Sequence, residues 1–208
     1  MAAVSVTPAL ATDAFTTEVI RSAVVAITDE MKTNLMRTAY NQIIYEAEDF
    51  TVGLFDADGE TISIGLGLPM FIRGLSDAIK AKIAHWGKER IEPGDILLTN
   101  DPQIMGSHLN HMIFTLPIFD DGGELVAFSS SMAHWQDVGG VLGGVTQDIF
   151  SEGLQMPFVK IFKRGAQDAE LTEVIRVNCR RPELALGDMR AQVAAIRTGE
   201  RRVVQLLR

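Results

Sequence analysis

The chain has 208 residues, 47% of them hydrophobic and 22% charged, with a formal net charge of −8 at pH 7. This is enough to bury a real core, and the acidic balance, with no Lys/Arg-rich run, excludes indiscriminate nucleic-acid binding. No apolar run is long enough to cross a bilayer, and the single cysteine, Cys179, excludes an internal disulfide and fits a reducing, cytoplasmic setting.

Residues 1–15 lack the basic and apolar regions of a signal peptide and read as a flexible leader, with the folded portion over 16–208. Ile20, Val24, Ile27, Met31 and Leu35 recur at helical steps, which predicts a helix capped by Thr16 or Thr17 and running to about Tyr40. Phe50–Phe55 and Glu60–Ile64, on either side of Asp56-Ala57-Asp58-Gly59, predict a hairpin. Leu75, Ile79 and Ile83 mark a second helix ending near Gly87, and Ile96–Thr99 a buried strand. Asn100–His111 is expected to be a polar loop at that strand's end. Met112–Phe119 and Glu124–Met132 then form a second hairpin, followed by a glycine-rich loop at 139–144 and an extended stretch from Leu154 to Phe162. From about Leu171 the pattern is helical, broken at Arg181-Pro182. Its apolar face continues to Arg208 with no cap, so this helix is expected either to dock on a partner or to belong to a longer protein. The expected class is mixed α/β (α+β), with β-hairpins and sheet flanked by N- and C-terminal helices; strand order is not set by the pattern.

The chemistry concentrates in the histidines. The second hairpin folds His134 back beside His108 and His111, and three imidazoles at one point are the usual material of a divalent-metal site. A carboxylate from Asp101, Asp137 or Asp49 would complete the set, and mixed imidazole–carboxylate ligation suits Zn, Mn or Fe(II) better than Mg or Ca. The plainer readings stand beside this one. Asp101 can be a turn residue bonding its own backbone, and Asp137 a partner that orients His134. His85, beside Trp86 at a helix end, reads as an ordinary surface histidine, Cys179 as a buried inert thiol, and the glycines at 139–144 as a turn-rich loop without P-loop spacing.

Taken in order, Asp49-Phe50-Thr51, Gly53-Leu54-Phe55-Asp56-Ala57-Asp58-Gly59, Pro93-Gly94-Asp95, Asn100-Asp101-Pro102, Gly106-Ser107-His108, Ala133-His134, Asp137-Val138-Gly139-Gly140, Glu152-Gly153-Leu154, Met156-Pro157 and Gly187-Asp188-Met189-Arg190-Ala191-Gln192 resemble the hydantoinase B/oxoprolinase family. Members of that family are longer, so the chain is similar to their N-terminal portion. The resemblance implies a metal set of Asp49, His108, His111 and His134, with His111 standing where the family usually has Asp. The turn at Asp120-Asp121-Gly122-Gly123 is also one residue longer than the family's. It further implies an ATP-dependent cyclic-amide hydrolase subunit, in which a hydantoinase A-like partner binds ATP and phosphorylates a small-molecule substrate. The remainder of a B-type subunit would complete the assembly. The alternative is a carboxylase subunit of the acetone or acetophenone type, acting on an enol phosphate. In either case Asp137 or Asp101 is expected to serve as an orienting group or general base.

Overall fold

The computed structural model describes residues 12–71, 73–105, 107–141 and 146–208. Of the expected leader over 1–15, residues 1–11 lie outside the described residues, as do Gly106 and 142–145 in the glycine-rich loop, whereas Ala14 and Phe15 already belong to a helix capped by Asp13. Seven helices run α1 (Ala14–Thr38), α2 (Gln42–Tyr45), α3 (Gly74–Trp86), α4 (Pro102–Met105), α5 (Ile149–Glu152), α6 (Ala169–Asn178) and α7 (Pro182–Leu206) among these residues. Seven strands, β1 (Phe50–Asp56), β2 (Thr61–Leu66), β3 (Ile96–Thr99), β4 (His111–Phe119), β5 (Leu125–His134), β6 (Val159–Lys163) and β7 (Ala166–Gln167), form one sheet in the order β2-β1-β5-β4-β3-β6-β7. Every neighbouring pair is antiparallel.

Because side chains alternate along a strand, the sheet has two apolar faces. Phe50, Val52 and Leu54 of β1 meet Ile27, Met31 and Leu35 of α1 and Ala191, Ala195 and Val203 of α7. On the same side Met112, Phe114 and Leu116 of β4 meet Met189, Val193 and Ile196 of α7 and Ile175 of α6. The opposite face, carrying Phe55, Ile113 and Met132, is covered by Leu75, Ala78 and Ile79 of α3 with Phe71 beside them. Helix α7 comes so close that a Cβ on Gly199 would stand 2.4 Å from Ser129 Oγ and 2.7 Å from Met31 Sδ.

Three expectations are corrected. Helix α1 starts at Ala14 and is capped by Asp13, whose carboxylate accepts from the Phe15 and Thr16 N–H groups; Thr16 and Thr17 lie inside the first turn. The Asn100–His111 segment contains the short α4, and His111 already belongs to β4. Of the Leu154–Phe162 stretch only Val159 onward is strand. The part before it is held by single main-chain bonds (Leu154 N–H to Val138 O, Asn100 N–H to Met156 O) and by side chains, with Met156 N–H donating to Asn100 Oδ1 at 2.7 Å and Thr99 Oγ1 donating to Met156 O at 3.0 Å.

Candidate metal centre

The register of β4 on β5 sets His111 directly across from His134. Next to them, Asp49 precedes β1 and its carbonyl accepts from the His134 N–H at 3.0 Å, so β1, β5 and β4 each end in one of these side chains. By the alternation along each strand, Asp49, His111 and His134 share the face that carries Phe55, Ile113 and Met132. His108 arrives from the turn ahead of β4, whose His111 N–H donates to His108 O at 3.2 Å.

The three ring centres are 4.7 Å (His108–His111), 4.9 Å (His108–His134) and 5.1 Å (His111–His134) apart. A cation about 2.1 Å from a ring nitrogen stands about 3.2 Å from the ring centre, so two imidazoles sharing it at about 90–109° would have centres about 4.5–5.3 Å apart. The observed spacings fall in that interval. His111 Nε2 lies 3.1 Å from Asp49 Oδ1, against about 3.0–3.4 Å for two ligand atoms on one such ion. The rings meet edge to face, and no group of three or more His, Cys, Asp or Glu side chains is set as a finished metal site among the described residues. Ring spacing is the firmer guide, because the histidine χ2 torsion is soft and the backbone that fixes the ring positions is not.

The hydrogen bonds leave donor atoms in useful places. His108 Nδ1 donates to Asn110 Oδ1 at 3.1 Å, which turns Nε2 away for another partner. His111 Nε2 faces Asp49 and its Nδ1 the Ser107 hydroxyl; in the tautomer that suits a cation, Nδ1–H donates to Ser107 Oγ and leaves the Nε2 lone pair free, and the ring rests on Phe71 with centres 4.8 Å apart. Among the described residues, His134 Nδ1 and Thr51 Oγ1 are the buried side-chain nitrogen and oxygen atoms without a hydrogen-bond partner. Thr51 follows Asp49 on the same face of β1. Burial of His134, reinforced by the nearby His111, lowers its pKa to about 4, so it is neutral with its lone pairs available at pH 7. For Asp49, burial pushes the carboxyl upward, but the hydrogen bond from His111 and the charges of the three histidines outweigh it and hold the pKa below the usual value.

Asp101 and Asp137 are engaged elsewhere. Asp101 Oδ1 accepts from the Gln103 N–H at 3.0 Å, the turn role, and the residue lines a cavity of about 400 Å³ with Asn100, Gln103, Leu109 and Met156. Asp137, expected beside His134, is 7% exposed and accepts from the Gly139 N–H at 3.0 Å, Arg180 Nη1 at 2.9 Å and the Arg180 N–H. It ties the link between α6 and α7 to the chain after β5. The plainer readings of His85 and Cys179 agree with the structure. His85 packs on Trp86 and Phe158 at the end of α3. The Cys179 thiol is buried, which with Asp137 nearby pushes its pKa up to about 11, and an un-ionised thiol is a poor nucleophile.

Sequence reasoning missed the supports behind the site. Gln192 of α7 is fully buried; its Oε1 accepts from Trp135 Nε1 at 2.8 Å and its Nε2 donates to Met112 O at 3.0 Å, gripping the residue after each of His134 and His111. Asp188 Oδ1 accepts from the N–H groups of Tyr40 (2.8 Å) and Asn41 (3.2 Å). A Cβ on Gly187 would stand 2.6 Å from the Tyr40 ring. The Gly187–Gln192 run, which the sequence marked only through its resemblance to the family, is therefore a bracket behind the histidine-bearing strand ends.

Residues 13–208 match the hydantoinase B/oxoprolinase family. The beta subunit of caprolactamase from Pseudomonas jessenii is 33% identical over 199 residues, covering 94% of this chain and 34% of that protein. The crystal structure of the ATP-dependent caprolactamase from the same organism superposes with a TM-score of 0.87 at 31% identity, over 95% of this chain and 34% of the other. The nucleotide-free structure of acetone carboxylase superposes with a TM-score of 0.85, over 93% of this chain and 26% of the other; its 18% identity makes this a likeness of fold. The chain spans about a third of the length of the curated relatives it matches. By the extent of the match, the chain belongs to the hydantoinase B/oxoprolinase family.

Proposed function

We propose that residues 16–208 are the metal-bearing N-terminal portion of a B-type subunit in an ATP-dependent, hydantoinase-type amidohydrolase. Its substrate is a cyclic amide that an ATP-binding partner subunit has activated by phosphorylation. The observation that carries this reading is the convergence of Asp49, His108, His111 and His134 at spacings suited to one divalent cation, in a chain 33% identical to a caprolactamase beta subunit. Three imidazoles and a carboxylate suit Zn or Mn, with Fe(II) also compatible. Such an ion supplies a Lewis acid and brings the pKa of water to near 7.

The chain's own residues supply the rest. The Asn110 and Ser107 side chains hold the His108 and His111 rings in place. The low pKa of His134 keeps a proton from competing for that ring at neutral pH. Asp49 contributes the negative charge that a set of neutral imidazoles lacks. No P-loop pattern occurs in the sequence, which is why ATP is assigned to a partner. The carboxylase alternative has fold similarity alone behind it and ranks second.

Elemental analysis of the purified chain tests the ligand set. About one equivalent of Zn or Mn is expected, lost in a His134→Ala variant that keeps its far-UV circular dichroism; a metal-free wild type that stays metal-free after incubation with either ion removes the proposal. With the partner subunit present, ATP-dependent ring opening of a lactam selects the hydrolase, and bicarbonate-dependent consumption of a ketone selects the carboxylase.

A further inference from the structure

Asn41 is 2% exposed and sits between α1 and α2, remote in sequence from the histidines. Its side chain closes a circuit of hydrogen bonds through two of the candidate ligands. Asn41 Oδ1 accepts from the Ile43 N–H at 3.0 Å. The Ile43 carbonyl accepts from the Asp49 N–H at 3.0 Å, and the Asp49 carbonyl from the His134 N–H at 3.0 Å. The His134 carbonyl then accepts from Asn41 Nδ2 at 2.9 Å, and the ring is complete. The Asn41 backbone is held in turn, because its N–H and that of Tyr40 both donate to Asp188 Oδ1 on α7.

Asn41 uses one donor and one acceptor of a single amide to fix both ends of this path. A hydroxyl or carboxylate at the position would keep the acceptor for Ile43 and lose the donor of that reach. From the closed circuit we infer that Asn41 is a positioning residue, which fixes the main chain of Asp49 and His134 and thereby sets how tightly the four side chains grip a divalent cation. The inference rests on the ligand reading of the preceding subsection and adds a residue outside the ligand set. Groups that orient metal ligands from behind typically change metal affinity by about 10- to 100-fold when removed.

The test is Mn²⁺ binding to the full chain, followed by electron paramagnetic resonance, for wild type, Asn41→Ser and His134→Ala. Serine is a good helix N-cap and retains the acceptor for Ile43, so α2 is preserved while the bond to His134 is lost. The Mn²⁺ dissociation constant of Asn41→Ser is expected to rise about 10- to 100-fold. An Asn41→Ser chain that melts at lower urea but binds Mn²⁺ like wild type has lost only a structural bond, and that overturns the inference. The same outcome in His134→Ala instead removes the metal reading itself, so the two failures are distinct. A variant that does not fold is bypassed with the unmodified chain: on adding Zn²⁺, the Asn41 side-chain amide protons should exchange more slowly in NMR while those of Asn178, bonded only within α6, stay as they were. Unchanged Asn41 protons in a chain that has taken up Zn²⁺ overturn the inference.

Discussion

His111 carries two tasks at once. It is the first residue of β4, paired with His134, and it bonds both Asp49 and Ser107 while packing on Phe71. By the resemblance the family usually has Asp here, so on the proposed ligand reading this chain would offer a neutral nitrogen in place of a charged oxygen. His111→Asp is expected to shift the preference between Mn and Zn toward Mn by about tenfold or more, because oxygen donors favour the harder ion. Competition between the two ions at equilibrium measures it, and an unchanged ratio would show that His111 does not touch the cation. At this scale the sequence was readable where chemistry is local. Counting across the Asp120–Gly123 turn brought His134 to His111, and the register agrees. Lys82 shows the opposite case. It is fully buried, donating to Leu97 O, Ile113 O and Thr115 Oγ1, and burial holds its pKa well below the usual lysine value. Its spacing from Leu75 and Ile79 puts it on the apolar face of α3, but the sequence does not show what would satisfy a lysine there, because its three acceptors lie on β3 and β4.

Among the elements, α7 does the most to hold the site in place. It packs on α1 and the sheet and also presents Asp188 and Gln192 to the chain on both sides of the histidine-bearing strand ends. Gly199 permits this approach. Alanine there would gain about 1 kcal/mol of helix propensity, but its Cβ would collide with the fully buried Ser129 and Met31. Gly199→Ala is expected to cost about 1–3 kcal/mol net, seen as a lower urea midpoint at unchanged slope; a more stable variant would mean that α7 can lift away from β5 without loss. The long helices and both hairpins were legible because their apolar spacing is strong. The short elements α2, α4, α5 and β7 were not, since two to four residues are too few to show a period; α2 is also tied to a distant segment, being capped by the same Asn41 whose side chain reaches β5. Sheet order is likewise a property of contacts between segments, and no local pattern encodes it.

For the molecule as a whole, Asp188 links acidity to stability. Its burial outweighs the two backbone N–H bonds and raises the pKa from 3.8 to about 6. Below about pH 4 the carboxyl is protonated in both folded and unfolded chains and has no effect; above about pH 6 it is ionised in both, and the folded state bears a cost of about 3 kcal/mol. Asp188→Asn keeps an acceptor for Tyr40 and Asn41 and removes the ionisation. Its stability relative to wild type should therefore fall by about 3 kcal/mol between pH 7 and pH 4. Urea unfolding at the two pH values checks this, and a constant gap would mean that Asp188 does not titrate in the window.

Asp49, ahead of β1, and the histidine-bearing ends of β5 and β4 have Asn41 and α7 behind them on one side, while their side chains face the other, where Phe71 stands. On that side the set is flanked by the bends at Pro69–Phe71 and 107–110. Neither bend belongs to the ladder that sets the histidine register. The turn at 107–110 carries His108 itself and the Ser107 and Asn110 side chains that hold the rings, whereas Pro69–Phe71 meets the set through the Phe71 ring, so of the two it is Pro69–Phe71 that can be reshaped at less cost to the histidines.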